Sequence, residues 1–420
     1  MTVRGSLRVP GDKSLSHRAL MLGALSTGRS RVRNVLLGAD VQATAGVLRA
    51  LGVDLPALSS DFTFAGVGLR GLVSPASSLD CGNSGTTTRL MAGAVAGNPV
   101  TATFTGDASL SRRPMRRVAA PLSAMGATVV LPSAGGLPMT VIGGALHPTV
   151  WRTETASAQV KSAILLAALC GGVEVTVREP TPSRDHTERL LRALGADIAV
   201  AGTHVTLRPS GSIQPLDVRI PADPSSAAFF AALAALTGAE IVLADVCLNP
   251  TRTGFFRALE RMGAVLRYDD QRDEGGEPVG TVHVSGAALH AAAFAGAEIP
   301  AMIDELPLLA CVAALAEGET VVRDASELRG KESDRISAVV ANLRAVGVDA
   351  DELPDGFRVR GGPQHRTLPA SRVVTHGDHR LAMAFGILGA ATGNALEVDD
   401  RACVAVSYPE FWQDLARTQR

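Results

Sequence analysis

Residues 48–55 read LRALGVDL, and the phrase returns at 122–129 (LSAMGATV), 191–198 (LRALGADI), 259–266 (LERMGAVL) and 343–350 (LRAVGVDA). Each copy reads as a helix end, Leu-x-x-x-Gly, running into a short β-like segment. The glycines, Gly52, Gly126, Gly195, Gly263 and Gly347, stand where a helix C′ position favours a left-handed residue. In four copies a second short strand and another glycine follow: FTFAG to Gly66, MTVIG to Gly143, VHVSG to Gly286 and FRVRG to Gly361. The copies recur at about 70 residues, too long a period for the familiar solenoids. Six such repeats fill the 420-residue chain. The sixth helix falls at 409–420 and stops before its glycine phrase. The first strand, at 5–9, is available to supply what that repeat lacks. Helix and strand alternate in every repeat, so the fold class is α/β, with helices packed on sheets.

Around this frame the composition is that of a folded chain. Hydrophobic residues make up 46% and charged residues 19%, which excludes disorder. Lys and Arg number 40 against 41 Asp and Glu, so no global charge draws the chain to nucleic acid or to a membrane. At 4% aromatic residues a base-stacking platform is disfavoured. The expected partners therefore include no nucleic acid and no membrane. Cys81, Cys170, Cys247, Cys311 and Cys403 are far apart, odd in number and without zinc spacing, as in a reduced cytosolic protein. The longest uncharged apolar stretch, 227–239, is too short to span a bilayer. The start, Met1-Thr2-Val3-Arg4-Gly5, has no signal-peptide apolar core. The expected localisation is cytoplasmic.

Polar clusters precede the apolar, helix-patterned segments. Gly11-Asp12-Lys13-Ser14 precedes 15–25, Gly82-Asn83-Ser84-Gly85-Thr86 precedes 89–95, and Ser157-Ala158-Gln159 precedes 160–169. Lys331-Glu332-Ser333-Asp334-Arg335 precedes 336–346, and Gly377-Asp378-His379-Arg380 precedes 381–391. Capping accounts for the Ser, Asp and Asn residues. It does not account for Lys13, Arg18, Arg89, Lys161, Lys331, Arg335 and Arg380, cations in or near first turns, where the helix dipole favours negative charge. Cations beside free backbone N–H groups suit a bound anion. Several such helix starts facing one cleft would hold a multiply charged ligand. A further basic run, 106–117, places Arg112, Arg113, Arg116 and Arg117 around Pro114; it reads as a solvated face or a stiff loop.

Other chemistries find no support. Gly11-Asp12-Lys13-Ser14 lacks the adjacent Gly-Lys of a P-loop. His376 and His379 have no companions at zinc spacing, so no metal is expected. Neither a nucleophile elbow nor a dinucleotide fingerprint is present.

The strings VPGDKSLSHRAL, GNSGTTTRL, GDASLSRRPM, ASAQVKSA, MIDELP, LRGKESDR and THGDHRLAM occur in this order. Together they resemble the 3-phosphoshikimate 1-carboxyvinyltransferase (EPSP synthase) family, from Val9 to the stretch around Tyr408. ASAQ, SRDHTE and KESDR are closer to its bacterial class II branch. The resemblance implies a two-domain enolpyruvyl transferase fold, each domain built of three βαβαββ units and the two joined by two chain crossings. Domain II would be 13–222, and domain I would be 1–12 plus 223–420, with the active site in the interdomain cleft. It implies transfer of the enolpyruvyl group of phosphoenolpyruvate to the 5-hydroxyl of shikimate 3-phosphate, with phosphate released, as a step of chorismate and aromatic amino acid biosynthesis. The partners are then these small-molecule anions, no cofactor is needed, and the enzyme is expected to be a monomer and a glyphosate target.

Carried over position by position, Lys13, Gly85, Arg113, Gln159, Arg335 and Arg380 match the phosphoenolpyruvate contacts. Lys13, Ser14, Arg18, Ser157, Ala158, Gln159, Asp304 and Lys331 match the shikimate 3-phosphate contacts, with Ser183 and Arg184 as weaker matches. Asp304 is the expected base at the hydroxyl, Glu332 the expected donor to the methylene carbon, and Lys13 completes the catalytic set. His379 is expected to position its neighbours. Three positions depart from the pattern: Val406 aligns with a lysine, Glu327 with an asparagine and Ala158 with a serine of other members. Gly85 aligns with alanine in certain class II members, and its missing methyl leaves room for glyphosate. The nearest alternative, UDP-N-acetylglucosamine enolpyruvyl transferase, carries Lys-Asn where this chain has Lys13-Ser14. It also carries a loop cysteine where Ala108 stands. A non-catalytic anion-binding repeat protein would lack the set Lys13, Arg113, Asp304, Glu332 and Arg380.

Overall fold

The glycines of the repeated phrase close helices as their positions predict. Gly52, Gly126, Gly195, Gly263 and Gly347 all lie at positive φ, between 83° and 113°. In every copy the residue after the glycine donates its N–H to the carbonyl of the leucine that opens the phrase: Val53 to Leu48, Ala127 to Leu122, Ala196 to Leu191, Ala264 to Leu259 and Val348 to Leu343, at 2.9–3.1 Å. This six-to-one bond ends the helix and turns the chain into the next strand.

The computed structural model describes residues 5–394 and 396–419. Its sheets repeat one topology, a parallel pair followed by an antiparallel hairpin whose second strand joins the pair. Leu79–Asp80, Thr101–Thr105, Met139–Ile142 and Thr128–Val130 lie side by side in that order. Thr149–Arg152, Val175–Arg178, His204–Leu207 and Ile198–Ala201 repeat the order, as do Ala293–Phe294, Gly318–Val322, Gly356–Gly361 and Asp349–Leu353.

Two repeats are closed by strands distant in sequence. Asp217–Arg219 pairs in parallel with Arg31–Arg33 and so opens the sheet of the first phrase. The first described strand, Ser6–Leu7, pairs in parallel with Val242–Leu243. This corrects the expectation that it completes the last repeat: it opens the sheet of the Gly263 phrase instead. Among the described residues the last repeat shows the parallel pair Ser371–Val373 and Leu396–Val398 without a hairpin.

The chain divides into two compact units. Unit 1 comprises the described residues through Pro10, Pro221–Arg272 and those from Pro278 on; unit 2 comprises Gly11–Ile220 and Asp273–Glu277. The short segment 273–277 is the tip of the hairpin Val265–Glu274 and Glu277–Ser285. The bounds implied by the family resemblance place these five residues in domain I. Within unit 2 its Glu277 carboxylate lies 2.8 Å from His186 Nδ1, both fully buried.

Each unit has inner and outer helices. In unit 2 the inner ones are α1 (Lys13–Leu25), Gly85–Ala96 and Ala158–Gly171; in unit 1 they are Pro224–Thr237, Leu306–Leu315 and His379–Thr392. They are buried nearly all round, so they carry Ala, Leu and Gly on every face rather than a stripe. Gly93 and Gly97 permit the closest of these approaches. A Cβ on Gly93 would stand 2.1 Å from the Ala163 carbonyl oxygen, and one on Gly97 would stand 2.6 Å from that of Ala167. The outer helices, such as Ala39–Ala50, His186–Ala193 and Gly254–Arg261, are amphipathic and cover the sheets. Among the described residues no helix is long and apolar enough to cross a membrane. The inner helices have buried bodies, so their polar residues collect at their N-termini, where the sequence clusters fall.

Candidate active site

In unit 2, Asp12 caps α1 by accepting the N–H of Leu15 at 2.8 Å. Lys13 opens that helix and reaches Asp40 Oδ2 at 3.0 Å. Arg18, one turn on, is buried and binds three segments: Ser14 O at 3.0 Å, Thr187 Oγ1 at 2.7 Å and Ser162 Oγ at 3.0 Å. It therefore ties the Ser14 turn to the helix that starts at Ala158.

A second group gathers at the start of Gly85–Ala96. Ser84 caps this helix, accepting the N–H of Thr87 at 3.1 Å. Arg89 donates to Gln159 Oε1, and Gln159 Nε2 donates to Thr86 Oγ1 at 2.9 Å. Arg113 grips the Asn83 turn through its carbonyl, at 3.1 Å, and its side-chain oxygen. Of the arginines in the basic run, Arg113 is buried while Arg112 and Arg116 are exposed. The run is two short helices, Ala108–Arg112 and Arg116–Ala124, and Pro114 sits in the break between them. Gly85 is the contact point: a Cβ there would lie 2.8 Å from Arg89 Nη1 and 3.5 Å from Arg113 Nη1. Lys13, Ser14, Gly85, Arg113, Ser157, Ala158 and Gln159 thus all lie at inner-helix starts or, for Arg113, against one.

Lys161 does not join them. It is buried between Glu179 Oε2 and Glu188 Oε1, each 2.7 Å from its Nζ. Reading it as an anion-binding cation is corrected: its charge is matched within the protein, and burial leaves no route for a ligand. Burial works against its charge, but the two glutamates outweigh that and hold its proton more tightly than usual. Ser183, a weaker phosphate match, donates its hydroxyl to Glu179 Oε1 at 2.5 Å.

In unit 1 the site is built around Arg335, the first residue of the helix Arg335–Ala345. Its guanidinium reaches Asp378 with Nε at 2.8 Å and Nη2 at 3.2 Å, Glu332 with Nη2 at 2.7 Å and Asp304 with Nη1 at 3.2 Å. Burial disfavours this charge, but Asp378, Glu332 and Asp304 outweigh it and keep the group a cation. Those bonds use four of the five N–H donors an arginine carries. A substrate anion must take the remaining Nη1 hydrogen or displace a carboxylate. Lys331 lies 3.7 Å from Asp304 and 3.3 Å from Glu327. Asp378 caps His379–Thr392 by accepting from Arg380 N at 2.9 Å. His379 is fully buried beside it.

Sequence reasoning missed what aims Arg380. Its Nη1 lies 3.8 Å from Glu305 Oε1, and that same oxygen accepts from Ser225 Oγ. Arg252 donates to Ser225 Oγ at 2.9 Å and to Asp223 Oδ1 at 3.0 Å. The signal was present: Glu305 follows Asp304 in MIDELP, and Asp223 and Ser225 open an inner helix. Val406 ends the short turn Ala402–Val406 and brings no charge. Among the described residues no cluster of three or more His, Cys, Asp or Glu could hold a metal. Burial pushes the Cys81 and Cys170 thiols up to about 12, so they are unreactive core groups.

Each unit thus carries a charged cluster of its own: a basic one around Gly85 in unit 2, and in unit 1 carboxylates clasped on a guanidinium. The family model described as EPSP synthase (3-phosphoshikimate 1-carboxyvinyltransferase) matches residues 1–415. The chain belongs to the EPSP synthase family. It is 46% identical over 424 residues to the 3-phosphoshikimate 1-carboxyvinyltransferase of Sulfurihydrogenibium sp. (strain YO3AOP1), covering 100% of this chain and 98% of that protein. To the Roseiflexus castenholzii protein of that name it is 48% identical, covering 99% and 97%. Among solved structures, an EPSP synthase from Acinetobacter baumannii matches with TM-score 0.86 at 40% identity, over 99% of this chain and 95% of that one. The enolpyruvyl transferase NikO from Streptomyces tendae, at TM-score 0.74 and 20% identity over 99% and 95%, shares the fold. The architecture is therefore that of the two-domain enolpyruvyl transferases, as the family resemblance implied.

Proposed function

We propose that this EPSP synthase family member transfers the enolpyruvyl group of phosphoenolpyruvate to the 5-hydroxyl of shikimate 3-phosphate, both clusters acting on one substrate pair. The support is family membership over residues 1–415, together with Asp304 and Glu332 held on one guanidinium. On this reading it works in the cytoplasm as a monomer, on small-molecule anions, without a cofactor, in aromatic amino acid biosynthesis.

The chemistry is addition followed by elimination. Asp304 takes the proton of the 5-hydroxyl as its oxygen bonds to the central carbon of phosphoenolpyruvate. Glu332 delivers a proton to the methylene carbon, giving a methyl group and a tetrahedral ketal. The roles then reverse: Glu332 takes a proton back from the methyl group, the double bond returns, the carbon–oxygen bond to phosphate breaks, and the departing phosphate takes the proton held by Asp304. The carboxylates outnumber the cations around Arg335, and an arriving polyanion adds negative charge. Added negative charge raises the proton affinity of a carboxyl, which suits a group that must protonate carbon. Lys13, Arg113, Gln159 and the helix N-terminus at Gly85 hold phosphate and carboxylate oxygens. Arg335 and Arg380 take the donor's anionic groups from the other unit. Ser14, Arg18, Ser157, Ala158 and Lys331 hold shikimate 3-phosphate, Ala158 through its backbone N–H.

Purified protein supplied with both substrates should release phosphate, and omission of either should abolish release. Steady release with phosphoenolpyruvate alone would overturn the assignment. Glyphosate should compete with phosphoenolpyruvate. In Gly85→Ala the new Cβ pushes Arg89 and with it Gln159, so inhibition should weaken by about 10–200-fold, the range for one methyl in a tight pocket. Inhibition constants for the two proteins check this, and equal constants would remove Gly85 from the donor site.

A further inference from the structure

His17 lies one turn beyond Lys13 in α1, beside Arg18, and is fully buried. Its Nδ1 is 2.6 Å from Thr44 Oγ1, on the helix Ala39–Ala50. Thr44 Oγ1 is 2.7 Å from Thr87 Oγ1, on the helix Gly85–Ala96. Thr87 donates its hydroxyl hydrogen to Ser84 Oγ at 2.7 Å, with the Asp40 carbonyl farther off at 3.5 Å. Three helices are thus stitched together by one chain of short bonds ending on the residue that caps the Gly85 helix.

The chain has a direction. A hydroxyl has a single hydrogen to give. That of Thr87, directed at Ser84 Oγ, is not available to Thr44. The Thr44–Thr87 bond must therefore use the Thr44 hydrogen. With that spent, the bond between His17 and Thr44 must use a hydrogen on the imidazole. We infer that His17 is a positioning residue of the anion site: as the Nδ1–H tautomer it heads a one-way hydrogen-bond chain that fixes the cap of the Gly85 helix against the Lys13 helix.

Two further observations agree. Nε2 makes no hydrogen bond among the described residues, as suits a bare lone pair more than a buried N–H. The ring is also held neutral, by burial first and then by the Lys13 and Arg18 charges on the same helix. A charged ring would place a third cation between those two, with Asp40 already committed to Lys13. Losing the head of the chain would leave Thr44 without its donor and loosen the Thr44–Thr87 link that braces the Ser84 cap. Its neighbours Asn83 and Gly85 set where Arg113 and the helix N-terminus meet an anion, so the cost should fall on donor binding.

That last step rests on the proposed reaction, whereas the tautomer does not, and two measurements separate them. Nitrogen-15 NMR of the imidazole in the intact protein at neutral pH should show Nδ1 protonated and Nε2 bare; the opposite tautomer, or a doubly protonated ring, would overturn the inference. In kinetics, His17→Leu should raise KM for phosphoenolpyruvate by about tenfold or more, the usual scale for a buried group left unpaired, with a smaller change in kcat. His17→Asn, whose amide N–H can stand in for Nδ1–H, should recover most of that loss. An unchanged KM in His17→Leu, or an Asn variant no better than Leu, would contradict the positioning role. If wild-type protein releases no phosphate, the proposed reaction fails while the NMR result still decides the tautomer.

Discussion

Asp304→Asn lowers kcat by about 10²–10⁴ with both substrates saturating, the usual worth of one positioned acid–base group. The substitution keeps the shape of the side chain and removes only its capacity to take a proton. The fold should tolerate it, because Arg335 keeps Asp378 and Glu332 and so is not left as an unpaired buried charge. A steady-state assay of phosphate release reads the effect, and a kcat within a few-fold of wild type would remove Asp304 as the base. Glu332→Gln should differ in kind. It should slow exchange of the methylene hydrogens of phosphoenolpyruvate with deuterated solvent, which requires protonation of that carbon. Exchange at the wild-type rate would assign the methyl proton elsewhere.

The second large effect concerns stability. Lys161→Met leaves Glu179 and Glu188 together without their cation, in a pocket where all three side chains are 2% exposed. Removing one partner of a buried pair costs about 3–5 kcal/mol, against a total of about 5–15 kcal/mol for a typical domain. The pH dependence has a definite sign. Burial already pushes the Glu188 carboxyl up, and Lys161 offsets this only in part. Without Lys161 the folded form binds the Glu188 proton more tightly than the unfolded form does. Stability is then kept at low pH and lost as pH rises through the raised folded value. Urea unfolding should find the variant weakest relative to wild type near pH 8 and partly recovered near pH 5. A deficit under about 1 kcal/mol at every pH would mean the ion pair contributes little.

Much of this architecture is legible in the sequence because its repeated phrase has a local cause. The bond from Val53 N to Leu48 O and the left-handed glycine between them are fixed within six residues. So are the helix starts, where Asp12, Ser84, Asp334 and Asp378 each accept from backbone N–H groups of their own first turn. What lay beyond local reading is whatever depends on partners far along the chain. Lys161 and Lys13 occupy like positions at the starts of inner helices. One meets two buried glutamates and the other a single buried aspartate, and nothing near either lysine says which. The pairing of Ser6–Leu7 with a strand more than two hundred residues away is equally non-local. The link from Glu305 through Ser225 to Arg252 also joins three separate segments, each unremarkable alone.

The claim on which the rest turns is that cations of both units act on the same bound anions. A crystal structure of the protein with shikimate 3-phosphate and glyphosate tests it most directly. The account predicts that Lys13 and Arg113 of unit 2 and Arg380 of unit 1 all contact the bound pair, with Asp304 at the 5-hydroxyl. Ligands touched by residues of one unit alone would contradict it.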